Sequence, residues 1–274
     1  MKLFAVLGDP IAHSLSPLMH NFVYRQNAIE AIYARARVAD GKRLREVFET
    51  LGLSGANITV PHKESAFELC DEVRGIAARL GAVNTWVKEG DRIAGYNTDA
   101  EGFAASIAPL NGVKSALVLG AGGAARSIAL ALIESGADTA VVNRSAARLE
   151  FFKPLGARVF DWQNLPRERF DLVVNSTSAG LKEDDLPLEK EALKAYLTGA
   201  KTAYDAIYGR QTPFLRLALE CGAAVKDGED MLAFQGAIAH TLFFGGGDRA
   251  KIAETMKTAL RLPASWRQSP PREG

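Results

Sequence analysis

Apolar residues recur along the chain in two distinguishable periods. Residues 3–7 form an unbroken apolar run that stops at Gly8-Asp9-Pro10, the pattern of a buried strand followed by a turn. Ser16-Pro17 offers a cap and a first-turn proline, and predicts a helix over residues 17–26. Residues 32–38 alternate as a strand does, residues 42–51 carry one apolar face as a helix does, and residues 56–60 form a strand closed by Pro61. Helices are expected over 64–70 and 73–80, and a hairpin over 83–88 and 92–96 about Glu89-Gly90-Asp91. A helix over 101–107 and the breaker Pro109-Leu110-Asn111-Gly112 lead into a second cycle. Its strands fall at 116–119, 139–142, 157–160, 172–174 and 202–206, with helices at 146–153 and 213–220. Two amphipathic helices, 231–243 and 249–260, complete the pattern, and a tail from Ser265 onward is expected to fray. Strand and helix in alternation predict two α/β domains with mostly parallel sheets.

The second cycle opens on Leu117-Val118-Leu119-Gly120-Ala121-Gly122-Gly123-Ala124-Ala125. The order is strand, tight turn, helix, and Gly120-x-Gly122-x-x-Ala125 has the dinucleotide-binding spacing with Ala in its third slot. Gly120 permits the turn, Gly122 lets a pyrophosphate approach the backbone, and Ala125 lets the helix pack on the strand. The free N–H groups and positive dipole end at the helix start favour phosphate. A domain selecting NAD places Asp or Glu about 20 residues on, to bind the ribose 2′-hydroxyl. Here the next strand ends in Asn143-Arg144-Ser145, with Arg148 close behind. A carboxylate would repel a 2′-phosphate, whereas two guanidiniums can grip it, so the sequence favours NADP(H).

Composition narrows the class. Across 274 residues the net charge is +1, 47% of residues are apolar and 24% charged, as in an ordinary globular protein. No basic stripe points to nucleic acid, and no apolar run approaches a membrane span. The amino-terminal apolar run is short for a signal segment and reads as a first strand. Cys70 and Cys221 lie far apart with no CxxC, which fits buried thiols of a reducing cytoplasm and no metal site.

Several polar residues of the first half fit no core. Ser14 and Ser16 stand at the carboxyl end of a strand, where α/β sheets bind ligands. Ser16 is accounted for as a helix cap, and Ser14 is not. In Asn57-Ile58-Thr59-Val60-Pro61-His62-Lys63, Asn57 and Thr59 project to one side of the strand. Lys63 sits in a first helical turn, a poor place for a cation, although most lysines are merely solvated. Asn84 and Asp99 add polar groups at strand ends, and Asp99 could also cap a helix.

These segments resemble the shikimate dehydrogenase family. Gly8-Asp9-Pro10-Ile11-Ala12-His13-Ser14-Leu15-Ser16-Pro17, residues 57–63, Gly81-Ala82-Val83-Asn84-Thr85 and Gly95-Tyr96-Asn97-Thr98-Asp99 look like its successive signatures. The glycine turn, Asn143-Arg144-Ser145, Asn175-Ser176-Thr177-Ser178-Ala179-Gly180 and Gly228-Glu229-Asp230-Met231-Leu232 continue them in order, ending at Gln235. The resemblance implies reversible NADPH-dependent reduction of 3-dehydroshikimate to shikimate, in aromatic amino-acid (chorismate) biosynthesis. It puts the catalytic lysine on Lys63 and its paired aspartate on Asp99. Substrate contacts fall on Ser14, Ser16, Thr59, Asn84, Asp99, Tyr208 and Gln235. Cofactor contacts fall on Gly120, Ala121, Gly122, Gly123, Ala124, Asn143, Arg144, Ser145, Arg148, Ala206, Gly228 and Met231.

The implied architecture is an N-terminal, mostly parallel α/β substrate domain and a Rossmann-like NADP-binding domain, separated by a cleft. The first spans residues 1–103 and is joined by C-terminal helices over 236–274; the second spans 104–235. The expected partner is the small-molecule substrate, without nucleic acid, membrane or metal, in a cytoplasmic monomer or homodimer. Two alternatives remain at this stage: a quinate/shikimate dehydrogenase with relaxed cofactor use, and a catalytically silent NADPH-binding regulator. One departure stands out, because Gly209-Arg210-Gln211 follows Tyr208 where members often carry Asn-Pro.

Overall fold

The computed structural model describes residues 1–181 and 183–263, so the tail from Ser265 onward lies outside the described residues. The chain divides into two units, residues 1–98 with those from 233 onward, and residues 99–232. In the first, β1 (Lys2–Gly8), α1 (Ser16–Gln26), β2 (Ala31–Arg37), α2 (Leu44–Thr50), β3 (Gly55–Ile58) and α3 (Lys63–Leu69) follow in turn. Then come β4 (Glu72–Val73), α4 (Ala77–Leu80), β5 (Thr85–Glu89) and β6 (Arg92–Tyr96). The second unit opens with α5 (Asp99–Ile107), β7 (Ser115–Leu119), α6 (Gly123–Glu134), β8 (Asp138–Asn143) and β9 (Arg158–Asp161). It continues through β10 (Leu172–Asn175), α7 (Lys190–Leu197), β11 (Thr202–Asp205), α8 (Pro213–Glu220) and β12 (Ala224–Lys226). The chain returns to the first unit within α9 (Glu229–Phe244), and α10 (Arg249–Leu260) follows.

The first sheet has the order β2-β1-β3-β5-β6-β4. β1 pairs parallel with β2 and β3, while β5 runs antiparallel to both β3 and β6, as the expected hairpin requires. Both faces of β1 are covered, which is why its apolar run is continuous. Ala5 and Leu7 pack with Val38, Phe48 and Trp86 on one side. Phe4 and Val6 pack with Tyr24, Tyr33 and Phe243 on the other, and the Phe4 and Phe243 rings stack at 4.7 Å. Each of the larger aliphatic and phenylalanine side chains contributes roughly 1.5–3 kcal/mol by leaving water.

The second sheet is parallel throughout, in the order β12-β11-β10-β7-β8-β9. Numbered from β7, that is the doubly wound order 3-2-1-4-5-6, and its direction reverses between β7 and β10.

The structure departs from the sequence expectations in several places. No helix covers 73–80: β4 pairs parallel with β6, Gly75 turns the chain at φ +60°, and only α4 is helical. Arg74 stabilises that edge by pairing with Glu72 and Glu89. Residues 146–152 wind as a tighter 3-10 helix, and the short exposed edge strand β12 had no sequence signal. The units part at Thr98/Asp99 and Leu232/Ala233, a few residues before the expected boundaries; the first shift follows from α5 packing on α6, with Phe103 meeting Tyr204 edge-on at 5.1 Å. Both cysteines are free, and they are half-buried rather than buried.

Candidate active site

In the first unit, the sequence-expected residues gather where β1 and β3 end. The loop after β1 carries Ser14 and Ser16, both buried. The Ser14 hydroxyl donates to the Ser16 hydroxyl at 3.3 Å and accepts the Ser16 N–H at 3.3 Å. Ser16 does not take the expected capping role. α1 begins at Ser16 itself, its cap position is Leu15, and no side chain caps it. With Leu15 as cap, Pro17 occupies the second helical position and has no N–H to offer, so the Ser16 hydroxyl is left for other work.

Thr59 and Lys63 follow the end of β3, and Asn84, just before β5, is paired to that end through the Ile58 N–H and its own carbonyl at 2.7 Å. The Thr59 N–H bonds the Leu7 carbonyl at 2.9 Å, and its methyl lies against Gly8. The chain then turns through a cis Val60–Pro61 peptide, and the His62 ring nitrogen Nε2 meets the Val38 carbonyl at 2.6 Å. Lys63, half-buried, opens α3, and its carbonyl accepts the Val83 N–H at 2.9 Å, which ties it to the strand end bearing Asn84.

From Asn84 a buried polar chain runs both ways. Its Oδ1 accepts the Thr98 N–H at 2.9 Å and the Thr85 hydroxyl at 3.0 Å, and its Nδ2 donates to the Thr98 hydroxyl at 3.0 Å. The Thr98 hydroxyl donates on to Gln235 Oε1 at 3.4 Å. In the other direction Asn57 donates to Thr85 at 3.0 Å and accepts the Tyr33 hydroxyl at 2.6 Å. Buried polar groups this well satisfied hold one arrangement. Thr98, Thr85 and Tyr33 were not singled out in the sequence. Thr98 alone had a signal, since it lies in a run of three polar residues at a strand end.

In the second unit, the glycine turn lies at the switch point of the sheet. Gly120 has φ +111°, and a Cβ there would stand 2.8 Å from the Ser176 hydroxyl oxygen and 3.0 Å from the Thr177 methyl. Ser176 is drawn in by two bonds to the Leu119 carbonyl, from its hydroxyl at 2.7 Å and its N–H at 3.0 Å. Ala121 is buried, Ala124 half-buried, and Ala125 fully covered. α6 starts at Gly123 with Gly122 as its cap, and the first helical bond runs from Arg126 N to the Gly122 carbonyl.

The other expected cofactor residues lie in the same unit. Asn143 ends β8, with its Nδ2 donating to the Ser145 carbonyl at 3.0 Å. Arg144 and Arg148 are exposed, and the Arg144 guanidinium lies 5.9 Å from the Trp162 ring centre. Ala206 follows β11, and a Cβ on Gly228 would collide with its carbonyl oxygen, so only glycine fits. Met231 is buried on α9. Asp99, 5% exposed, opens α5. Tyr208 is half-buried after β11, and Arg210 of its loop donates to the Leu181 carbonyl at 2.9 Å.

These residues fit a dinucleotide phosphate. Nothing lies within 4 Å of where a Cβ on Gly122 would sit, so the space before the α6 N-terminus is open. The leading N–H groups of α6 point that way, and cations rather than a carboxylate follow β8.

A doubly wound unit with a glycine turn at its switch point, joined in one chain to an α/β unit holding a buried hydroxyl–amide network and a lysine, defines a dinucleotide-dependent enzyme. The comparisons sharpen that class. The family described as shikimate dehydrogenase substrate binding domain matches residues 6–86. The NADP(+) shikimate dehydrogenase of Helicobacter pylori is 46% identical over 247 residues, covering 89% of this chain and 92% of that one. That of Desulfitobacterium hafniense (strain Y51) is 38% identical over 273 residues, with 95% and 97% covered. The crystal structure of shikimate 5-dehydrogenase from Thermus thermophilus, in complex with NADP(H) and shikimate, superposes with a TM-score of 0.81. It is 38% identical, and 94% of this chain and 100% of that one are covered. The chain belongs to the shikimate dehydrogenase family.

Proposed function

We propose that this protein catalyses the reversible NADPH-dependent reduction of 3-dehydroshikimate to shikimate, within the aromatic amino-acid (chorismate) route. The observation that carries the proposal is the buried network of Asn84, Thr98 and Gln235, with the Ser14/Ser16 pair and Lys63 in the same unit. A ring bearing three hydroxyls and a carboxylate needs many neutral donors and acceptors in fixed directions, and this unit supplies them. The first unit is assigned as the substrate domain, and the second as the cofactor domain.

NADPH, when bound, supplies the hydride. Its phosphates are assigned to the Gly120, Ala121, Gly122, Gly123 and Ala124 turn, and its 2′-phosphate to Asn143, Arg144, Ser145 and Arg148. Ala206, Gly228 and Met231 are assigned to the nicotinamide end. As the ketone carbon is reduced, its oxygen gains alkoxide character, and the Lys63 ammonium donates the proton that makes it a hydroxyl. In the oxidative direction the neutral amine accepts that proton. Asp99 is assigned as the paired aspartate and to a ring hydroxyl. Ser14, Ser16 and Tyr208 hold the substrate carboxylate, and Thr59, Asn84 and Gln235 the hydroxyls. The same reading puts the enzyme in the cytoplasm as a monomer or homodimer. Among the described residues no helix is long and apolar enough to cross a membrane.

Mixing the protein with shikimate and NADP+ should raise the absorbance of reduced nicotinamide. Silence with that pair, or equal turnover of quinate with NAD+, would sink the proposal.

A further inference from the structure

β2 carries two arginines that the proposed chemistry leaves unused. Arg35 and Arg37 stand two residues apart, so both project to the same face of the strand. The parallel register sets them level with Val6 and Gly8, just before β1 enters the loop that bears the serines. Both reach that loop. Arg37 grips its start, with Nε and Nη2 at 2.7 and 3.4 Å from the two carboxylate oxygens of Asp9. Arg35 grips its end, where Nε and Nη2 both donate to the Ser14 carbonyl, at 2.8 and 2.6 Å.

The two contacts differ in weight. The Arg37 side chain is 71% exposed, and an ion pair in water contributes little. The Arg35 contact is half-buried, charge-assisted and two-pronged, so it fixes direction as well as distance. The helix beyond the loop is tied to the same strand. Asn21 of α1 donates to the Tyr33 carbonyl at 2.8 Å and accepts the Tyr33 N–H at 2.9 Å. With β2 holding the loop at Ser14 and the helix at Asn21, the two serine hydroxyls have little freedom to leave their 3.3 Å spacing.

We infer that Arg35 is a positioning residue for the substrate: it fixes Ser14, and through it the hydroxyl pair that takes the substrate carboxylate. It also brings a positive charge to the one residue of that pair whose backbone it holds. The inference rests on the assignment of Ser14 and Ser16 made above.

Steady-state kinetics with shikimate and NADP+ tests it. Arg35→Met removes fork and charge, and should raise the shikimate KM about tenfold with kcat within about threefold and the NADP+ KM unmoved. Arg35→Lys, which keeps the charge but only one donor direction, should fall between it and the wild type; Arg37→Met should match the wild type. A shikimate KM within about twofold of wild type in Arg35→Met overturns the inference, as does an equal rise in both KM values, the sign of general damage to the fold. If Arg35→Met does not fold, an unchanged shikimate KM in Arg35→Lys overturns it instead. Ser14→Ala separates the two levels. An unchanged shikimate KM there refutes the serine assignment, whereas a raised one beside an unchanged Arg35→Met refutes only the role of Arg35.

Discussion

Lys63 is carried to its position by backbone bonds and by its neighbour's ring. The His62 N–H bonds the Thr59 carbonyl at 3.0 Å, the His62 ring holds the Val38 carbonyl, and the Lys63 carbonyl takes the Val83 N–H. Its backbone is therefore held in place independently of its long side chain. Lys63→Ala should keep the fold and lower kcat by about 10²–10⁴ while the shikimate KM moves little, as loss of a general acid does. A large KM change at full kcat would reassign Lys63 to binding. On the cofactor side, Arg144→Ala should raise the NADP+ KM about tenfold and leave that for NAD+ nearly unchanged, since only the former offers a phosphate to a guanidinium. If the preference for NADP+ survives, Arg144 does not read the 2′-phosphate.

At the scale of elements, the turn from β7 to α6 has no slack. Gly120 is held at φ +111° with Ser176 and Thr177 closing over it, so Gly120→Ala has neither the backbone conformation nor the room. The variant should lose roughly 1–3 kcal/mol of stability and bind NADPH weakly. A thermal melt and a fluorescence titration together check this, and an unaltered titration would show that the turn does not cradle phosphate. The start of α1 has the opposite character. Its cap residue, Leu15, offers no side-chain bond, and beyond the Ser14 hydroxyl on the Ser16 N–H it is organised by the neighbouring strand through Arg35 and Asn21.

For the whole molecule, acid should act on the two units in opposite directions. In the first, burial pushes the His240 imidazole down from 6.5 to about 4, and burial with the nearby His240 holds His20 well below its ordinary value. His20 lies flat against Tyr33 with ring centres 4.2 Å apart. The unfolded chain takes up these protons below about pH 6.5 and the folded unit does not, so stability falls as pH drops from 6.5 toward 4. In the second unit, burial raises the Asp205 carboxyl from 3.8 to about 6, against the pull of its bonds from Thr212, Ile207 and Asn175. Here the folded unit binds the proton first, so stability rises as pH drops from about 6 to 4. Hydrogen exchange, corrected for intrinsic rates, should quicken in β1 and β3 relative to β7 and β10 between about pH 6.5 and 4.5. His20→Phe, which keeps the ring, should weaken the response of the first unit and leave the part due to His240. Uniform change across both sheets would count against these assignments.

Much of this was legible in the sequence, because strand, turn and helix are local patterns and each α/β step is short. The continuous run in β1, the hairpin of β5 and β6, the glycine turn and the cations after β8 are all read within a dozen residues. The ordered signatures supplied the family. What the linear pattern misjudged were places where a distant neighbour overrules local preference. The helix expected over 73–80 yielded to an edge pairing with β6, and the cap expected of Ser16 passed out of use when the helix began one residue sooner. Thr98 and Gln235 meet across 137 residues of chain, and Arg35 finds the Ser14 carbonyl across 21. The sequence by itself determined the elements, their alternation and the chemical groups available, since these follow from local periodicity and residue type. Only the tertiary structure decided which hydroxyl faces which amide and which arginine holds the serine loop, because a hydrogen bond depends on distance in space and that distance has no local trace.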